Sequence, residues 1–214
     1  MIQAVIFDLD GVIVDTAHYH FIAWQRLAKE LGIHFTAQEN EQLKGVSRMR
    51  SLEIILELGN LRLSREEMER LATKKNQWFV GYINAMKPDE IFPGVNELIK
   101  SIRASGIKVA LASSSKNADT VLNLLNIKEY FDVIVDGTMI THTKPDPEIF
   151  LLAAKKLDIP VSQCLVFEDA EAGVEAALAA GMKCVGVGSP QQLGRADFVV
   201  SKAADFVLEK IKGI

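Results

Sequence analysis

Four apolar residues, Ala4-Val5-Ile6-Phe7, run without a polar interruption and stop at Asp8-Leu9-Asp10-Gly11-Val12. The run is too short for a helix and carries β-branched residues at its centre, so it predicts a buried strand ending at two carboxylates. Strand character returns at Lys108–Ala112, Val133–Val135, Cys164–Phe167 and Cys184–Val187, and more weakly at Phe198–Val200. Between these runs the apolar positions fall at helical spacing around Leu98, Leu122, Leu152, Ala176 and Val207. Strand and helix in alternation predict an α/β fold with a doubly wound parallel sheet.

One stretch breaks the alternation. From Thr16 to Met86 there is no proline and no convincing strand, and Phe21, Trp24, Leu27, Ala28 and Leu31 recur at three- and four-residue steps. That spacing is an amphipathic helix. Ser64-Arg65-Glu66-Glu67 opens another helix as a capping box, and Lys87-Pro88-Asp89 with Phe92-Pro93-Gly94 marks a hinge. Four residues cannot form a core alone, so the first strand must join the later sheet. The expected organisation is an α/β core of residues 1–15 and 88–214 with an all-α cap, residues 16–87, inserted over the strand ends.

Composition narrows the function. The 214 residues carry 24 Lys and Arg against 28 Asp and Glu, a net −4, which argues against a nucleic-acid partner. Cys164 and Cys184 are too few for a disulfide framework or a zinc ribbon and are expected in the core. The first residues lack the basic start and apolar stretch of a signal peptide, and no segment approaches the roughly 18 apolar residues of a membrane span. The expectation is a cytoplasmic protein, monomeric by default.

The chemistry collects at strand ends. Two positions apart on a strand, Asp8 and Asp10 could share one side, and the turn at Gly11 re-aims Asp10, an arrangement that suits one carboxylate for attack and a second for proton transfer. Open parallel sheets hold ligands at such carboxyl ends. The second strand runs into Ser113-Ser114-Ser115-Lys116-Asn117, either a phosphate site or a polar turn with a helix cap. After the third strand, Thr143-Lys144-Pro145-Asp146-Pro147 introduces a helix, with Pro147 in its first turn and Lys144 a candidate to neutralise carboxylates and a phosphoryl group. The fourth strand ends at Glu168-Asp169, ahead of Ala170-Glu171-Ala172-Gly173. Two charges about 4 Å apart cost roughly 4 kcal/mol at an effective dielectric near 20, so four gathered acids call for a cation. Oxygen-only ligands point to one Mg²⁺.

In this order, Asp8-x-Asp10-Gly11-Val12, Ser113, Lys144-Pro145 and Glu168-Asp169 resemble the haloacid dehalogenase (HAD) superfamily of phosphoryl-transfer enzymes, with its Rossmann-like core. Within it the chain is similar to the β-phosphoglucomutase family, on Thr16, His20, Trp24, Leu43-Lys44-Gly45-Val46-Ser47-Arg48, Ser51, Lys75-Asn76 and Ala112–Asn117. The resemblance implies Asp8 as the nucleophile that becomes an aspartyl phosphate and Asp10 as general acid and base. It implies Mg²⁺ on the Asp8 carboxylate, the Asp10 main-chain carbonyl and Asp169, with Glu168 in or next to that shell. Lys144, Ser113 and the Ser114 N–H would hold the transferring phosphoryl group. The distal phosphate and sugar would fall to Lys44, Gly45, Val46, Ser47, Arg48 and Ser51 of the cap with Ser115, Lys116 and Asn117 of the core. Thr16, His20, Trp24, Lys75 and Asn76 would support cap closure. Ser114 stands where the family pattern often has alanine, and Ala170 where serine is frequent.

The implied reaction interconverts β-D-glucose 1-phosphate and β-D-glucose 6-phosphate, with β-glucose 1,6-bisphosphate as intermediate and activator. Its alternative on the same core is a sugar-phosphate phosphatase, in which water attacks the phosphoaspartate. A non-enzymatic sugar-phosphate sensor stands further off, because Asp8 and Asp10 are both present.

Overall fold

The computed structural model describes residues 1–43 and 46–207. Its contacts divide into two compact units, one drawn from Met1–Asp15 and Lys87–Ile214 and the other from Thr16–Met86, so Lys87 belongs with the first.

Six strands, β1 (Ala4–Phe7), β2 (Lys108–Ala112), β3 (Val133–Val135), β4 (Cys164–Glu168), β5 (Lys183–Val187) and β6 (Phe198–Val200), form one sheet among the described residues, in the order β3-β2-β1-β4-β5-β6. Every pairing is parallel. All four residues of β1 are fully buried, as an uninterrupted apolar run in a central parallel strand requires. The strand order reverses on the two sides of β1, which makes the β2/β1/β4 ends the switch point where such sheets bind ligands.

The helices of the inserted unit are α1 (Ala17–Glu30), α2 (Ala37–Asn40), α3 (Arg48–Leu58) and α4 (Arg65–Ile83). Those of the sheet unit are α5 (Val95–Ala104), α6 (Ala118–Leu124), α7 (Glu148–Leu157), α8 (Glu171–Ala179) and α9 (Pro190–Leu193). On one face of the sheet Ala4, Ile6, Ala110 and Val166 meet Ile149, Phe150 and Ala153 of α7 and Val174, Ala176 and Ala177 of α8. On the other, Phe7 stacks on Phe167 at 4.9 Å between ring centres, and Phe167 meets Phe206 edge-on. The inserted unit has its own core of Trp24, Leu27, Ala28, Leu52, Ile55, Leu56 and Ala72. Trp78 packs against it, partly buried, beneath the Arg26 guanidinium at 4.1 Å. The capping box at Ser64 forms as its sequence requires, with Ser64 Oγ accepting from Glu67 N and Ser64 N donating to the Glu67 carboxylate.

Two boundaries differ from those the sequence predicts. β4 continues to Glu168 rather than stopping at Phe167, because Glu168 still pairs with Gly186. Pro147 precedes α7 as its N-cap instead of sitting inside the first turn. Most of the helix expected around Val207 lies outside the described residues; Ala203–Asp205 form a single 3₁₀ turn. Both cysteines are buried and reduced.

Candidate active site

Strand register brings the chemistry together. Phe7 pairs with Leu111 on one side and Phe167 on the other, so the next residues on the three strands are Asp8, Ala112 and Glu168. One side chain ties them. Lys144 Nζ donates to Asp8 Oδ1 at 2.6 Å, to Glu168 Oε1 at 2.5 Å and to the Ala112 carbonyl at 3.2 Å, lying 4.9 Å over the Phe150 ring. Its three protons find three acceptors. Burial disfavours the ammonium, but Asp8 and Glu168 outweigh that and hold Lys144 protonated well above its ordinary range. Burial likewise pushes the Asp8 carboxyl well up; Lys144 opposes the rise, while Glu168, Asp169 and Asp10 add to it.

The turn after β1 is closed by backbone bonds from Gly11 N to Val14 O and from Ile13 N to Leu9 O, with Phe92 N bonding Ile13 O. Gly11 has φ +74°, and a Cβ there would lie 1.9 Å from Asp169 Oδ2. Glycine is therefore required twice, for the left-handed backbone and for the close approach of Asp169. Glu168 has both oxygens engaged, Oε2 accepting from Ala170 N at 3.0 Å.

Asp8, Glu168 and Asp169 each present an oxygen within 4.8 Å of the others. Three carboxylates that can bring an oxygen each into so small a volume are the donor set of a hard divalent cation. These residues fit Mg²⁺.

The serine segment satisfies itself in part. Ser113 N donates to Val135 O, Ser115 N to Ser113 Oγ at 3.1 Å, and Asn117 N to Ser115 Oγ at 3.2 Å. The hydroxyls thus cap the turn into α6, using N–H groups that a phosphate site could otherwise offer. Ser114 Oγ is buried without a partner, whereas Lys116 is exposed.

In the inserted unit, Lys75 Nζ lies 2.6 Å from His20 Nδ1, over the Trp24 ring at 4.4 Å and the Phe79 ring at 5.0 Å, while His20 stacks on Phe79 at 3.9 Å. An ammonium only donates, so His20 Nδ1 accepts and the neutral ring carries its proton on Nε2. Burial, then Lys75 and Arg48, push His20 well below its ordinary value. Thr16 O accepts from His20 N within α1, and Asn76 is partly buried on α4. Ser47 is the N-cap of α3, its Oγ accepting from Arg50 N at 3.2 Å. Arg48, partly buried, opens that helix; burial alone lowers its guanidinium's value. Ser51 is buried one turn on, Val46 precedes the cap, and Lys44 and Gly45 lie outside the described residues.

Two partners carry no sequence signature that names them, and a third carries only a faint one. The Ala112 carbonyl and the Phe150 ring have no polar side chain to announce them. The third is the clasp that presents Lys144: Glu148 Oε1 accepts from Thr141 N and Oε2 from His142 N, while Asp146 Oδ1 accepts from Glu148 N. An acid two residues before α7 and another at its start were the available signal. His142, Asp146 and Glu148 also cluster closely enough for a metal, but both Glu148 oxygens and Asp146 Oδ1 already close this turn.

Comparison with known proteins places the arrangement. β-Phosphoglucomutase of Bacillus subtilis (strain 168) is 45% identical over 209 residues, covering 97% of this chain and 92% of that protein. The phosphorylated carbohydrates phosphatase of Thermotoga maritima is 35% identical over 184 residues, 85% of this chain and 82% of that protein. The crystal structure of β-phosphoglucomutase from Clostridium difficile matches with a TM-score of 0.95 at 45% identity, over 100% of this chain and 96% of that one. The family model of haloacid dehalogenase-like hydrolases matches residues 2–181. On the family model and on this identity over nearly its whole length, the chain belongs to the haloacid dehalogenase-like hydrolase family.

Proposed function

We propose that this enzyme is a β-phosphoglucomutase, interconverting β-D-glucose 1-phosphate and β-D-glucose 6-phosphate through an aspartyl phosphate and β-glucose 1,6-bisphosphate. The observation that carries the chemistry is the Lys144 ammonium held 2.6 Å from Asp8 Oδ1 at the strand end. It pairs a carboxylate nucleophile with a fixed positive charge where phosphoryl charge develops.

An Asp8 carboxylate oxygen forms the bond to phosphorus as the bond from phosphorus to the sugar oxygen breaks. Asp10 gives that oxygen a proton and later takes one from the hydroxyl attacking the phosphoaspartate. Lys144, the Ser113 hydroxyl and the Ser114 N–H hold the transferring oxygens. Mg²⁺ would be held by the Asp8 and Asp169 carboxylates and the Asp10 carbonyl, with Glu168 beside them, and supplies neutralising charge when bound. Arg48 is the guanidinium for the second phosphate, helped by Ser115, Lys116 and Asn117 with Lys44, Gly45, Val46, Ser47 and Ser51. Thr16, His20, Trp24, Lys75 and Asn76 support closure of the helical cap, so that a sugar hydroxyl, not water, reaches the phosphoaspartate. We read the protein as a cytoplasmic monomer; no helix among the described residues is long and apolar enough to cross a membrane.

The second reading is a sugar-phosphate phosphatase, supported by the activity named for the Thermotoga maritima relative. Incubation with β-glucose 1-phosphate, Mg²⁺ and a trace of the bisphosphate separates the two. Glucose 6-phosphate is the expected product. Free phosphate as the dominant product would overturn the mutase reading.

A further inference from the structure

We propose that Gly173 is a positioning residue whose missing side chain seats the Glu168 carboxylate against Lys144. The inference rests on the phosphoryl-transfer reading for its consequence and on packing alone for its geometry.

Gly173 is the third residue of α8, buried, with ordinary helical backbone. Nothing in its conformation demands glycine, and alanine is the better helix former. Space is what demands it. A Cβ at this position would lie 1.9 Å from Glu168 Cδ, 1.9 Å from Oε1 and 2.4 Å from Oε2. The end of a glutamate can usually swing aside, but this one has nowhere to go. Glu168 is 1% exposed, with Oε1 on Lys144 Nζ at 2.5 Å and Oε2 on Ala170 N at 3.0 Å. A methyl group on α8 must therefore push the carboxylate off one or both partners. Lys144 would then lose the acceptor that balances its pull on Asp8. Gly81 in α4 is the contrasting case, since a Cβ there meets nothing within 4 Å.

The test is a double-mutant cycle of Gly173→Ala and Glu168→Ala, followed by thermal denaturation and by turnover. Glu168→Ala removes the atoms in the way. Gly173→Ala should then raise the melting temperature more in the Glu168→Ala background than in the wild-type background, while Gly81→Ala gives the same change in both. Equal changes for Gly173→Ala in the two backgrounds would overturn the proposal whatever reaction the enzyme performs. In turnover, Gly173→Ala alone should lower kcat at least about tenfold, with KM changed far less, and should lower it no further once Glu168 is alanine. Wild-type kcat in Gly173→Ala, or a loss that multiplies with that of Glu168→Ala, would equally overturn it. The mutase reading fails separately, on the product formed by the wild-type enzyme.

Discussion

Lys144 reaches Asp8 across 136 positions of sequence, Nζ to Oδ1 at 2.6 Å, with both side chains almost sealed from water. A buried pair of this kind says little about net stability while it is intact, but removing one partner strands the other. Lys144→Ala leaves Asp8 and Glu168 facing each other without a counter-charge. We expect a loss of roughly 3–5 kcal/mol in urea denaturation without Mg²⁺, partly recovered when Mg²⁺ is added, together with loss of turnover. An unchanged urea midpoint would show that the ammonium compensates nothing.

Asp8→Asn should abolish turnover outright, because an amide does not form the acyl phosphate. Asp10→Ala should lower it by about 10²–10⁴-fold, the usual worth of a general acid and base, with the circular-dichroism spectrum of both variants unchanged. Robust turnover in Asp8→Asn would remove the nucleophile assignment.

Arg48→Ala separates the two phosphates of the intermediate. Mutase turnover should fall by about tenfold or more, as expected for a lost charged hydrogen bond. Hydrolysis of a small phosphomonoester, which has no second phosphate, should fall much less. Equal losses in the two assays would argue that Arg48 holds no distal phosphate.

Much of the fold and of the site is legible in the amino-acid sequence. Ala4-Val5-Ile6-Phe7 reads as a buried strand because a central parallel strand needs both faces apolar, and all four residues are fully buried. Ser64 and Glu67 announce their helix because the capping box is a local device. The grip of Lys144 is not local: a lysine ahead of two prolines carries no mark of which acids it will meet. Phe150 and the Ala112 carbonyl are invisible for the same reason, being chosen by register and packing. Ser47 adds a local role that its motif does not mark, its hydroxyl accepting from Arg50 N as the cap of α3.

Ser114 carries a buried hydroxyl with no hydrogen-bond partner. An orphaned polar group of this kind is destabilising, so Ser114→Ala should raise stability by about 1 kcal/mol in chemical denaturation. A clear loss of stability would show that the hydroxyl is satisfied after all.

His20 gives the pH dependence. Its folded value is depressed from an ordinary 6.5 by burial, Lys75 and Arg48. Below about pH 6.5 the unfolded imidazole takes up a proton that the folded one refuses, so stability present above that pH declines as pH falls. The slope is at most about 1.4 kcal/mol per pH unit. His20→Gln keeps an acceptor for Lys75 and does not titrate. Its melting temperature between pH 7 and pH 5 should fall less steeply than that of the wild type; parallel curves would contradict the assignment.

The position of β1 has a consequence for how the molecule comes to exist. Ala4 pairs with Lys108 and with Cys164, so this strand is made well before either of the strands that flank it. Contacts so distant in the chain slow folding, because the loops between them must close first. They also mean that no nascent fragment ending before β4 can assemble the Asp8, Lys144 and Glu168 cluster. The cluster can close only once the chain has been made through Glu168.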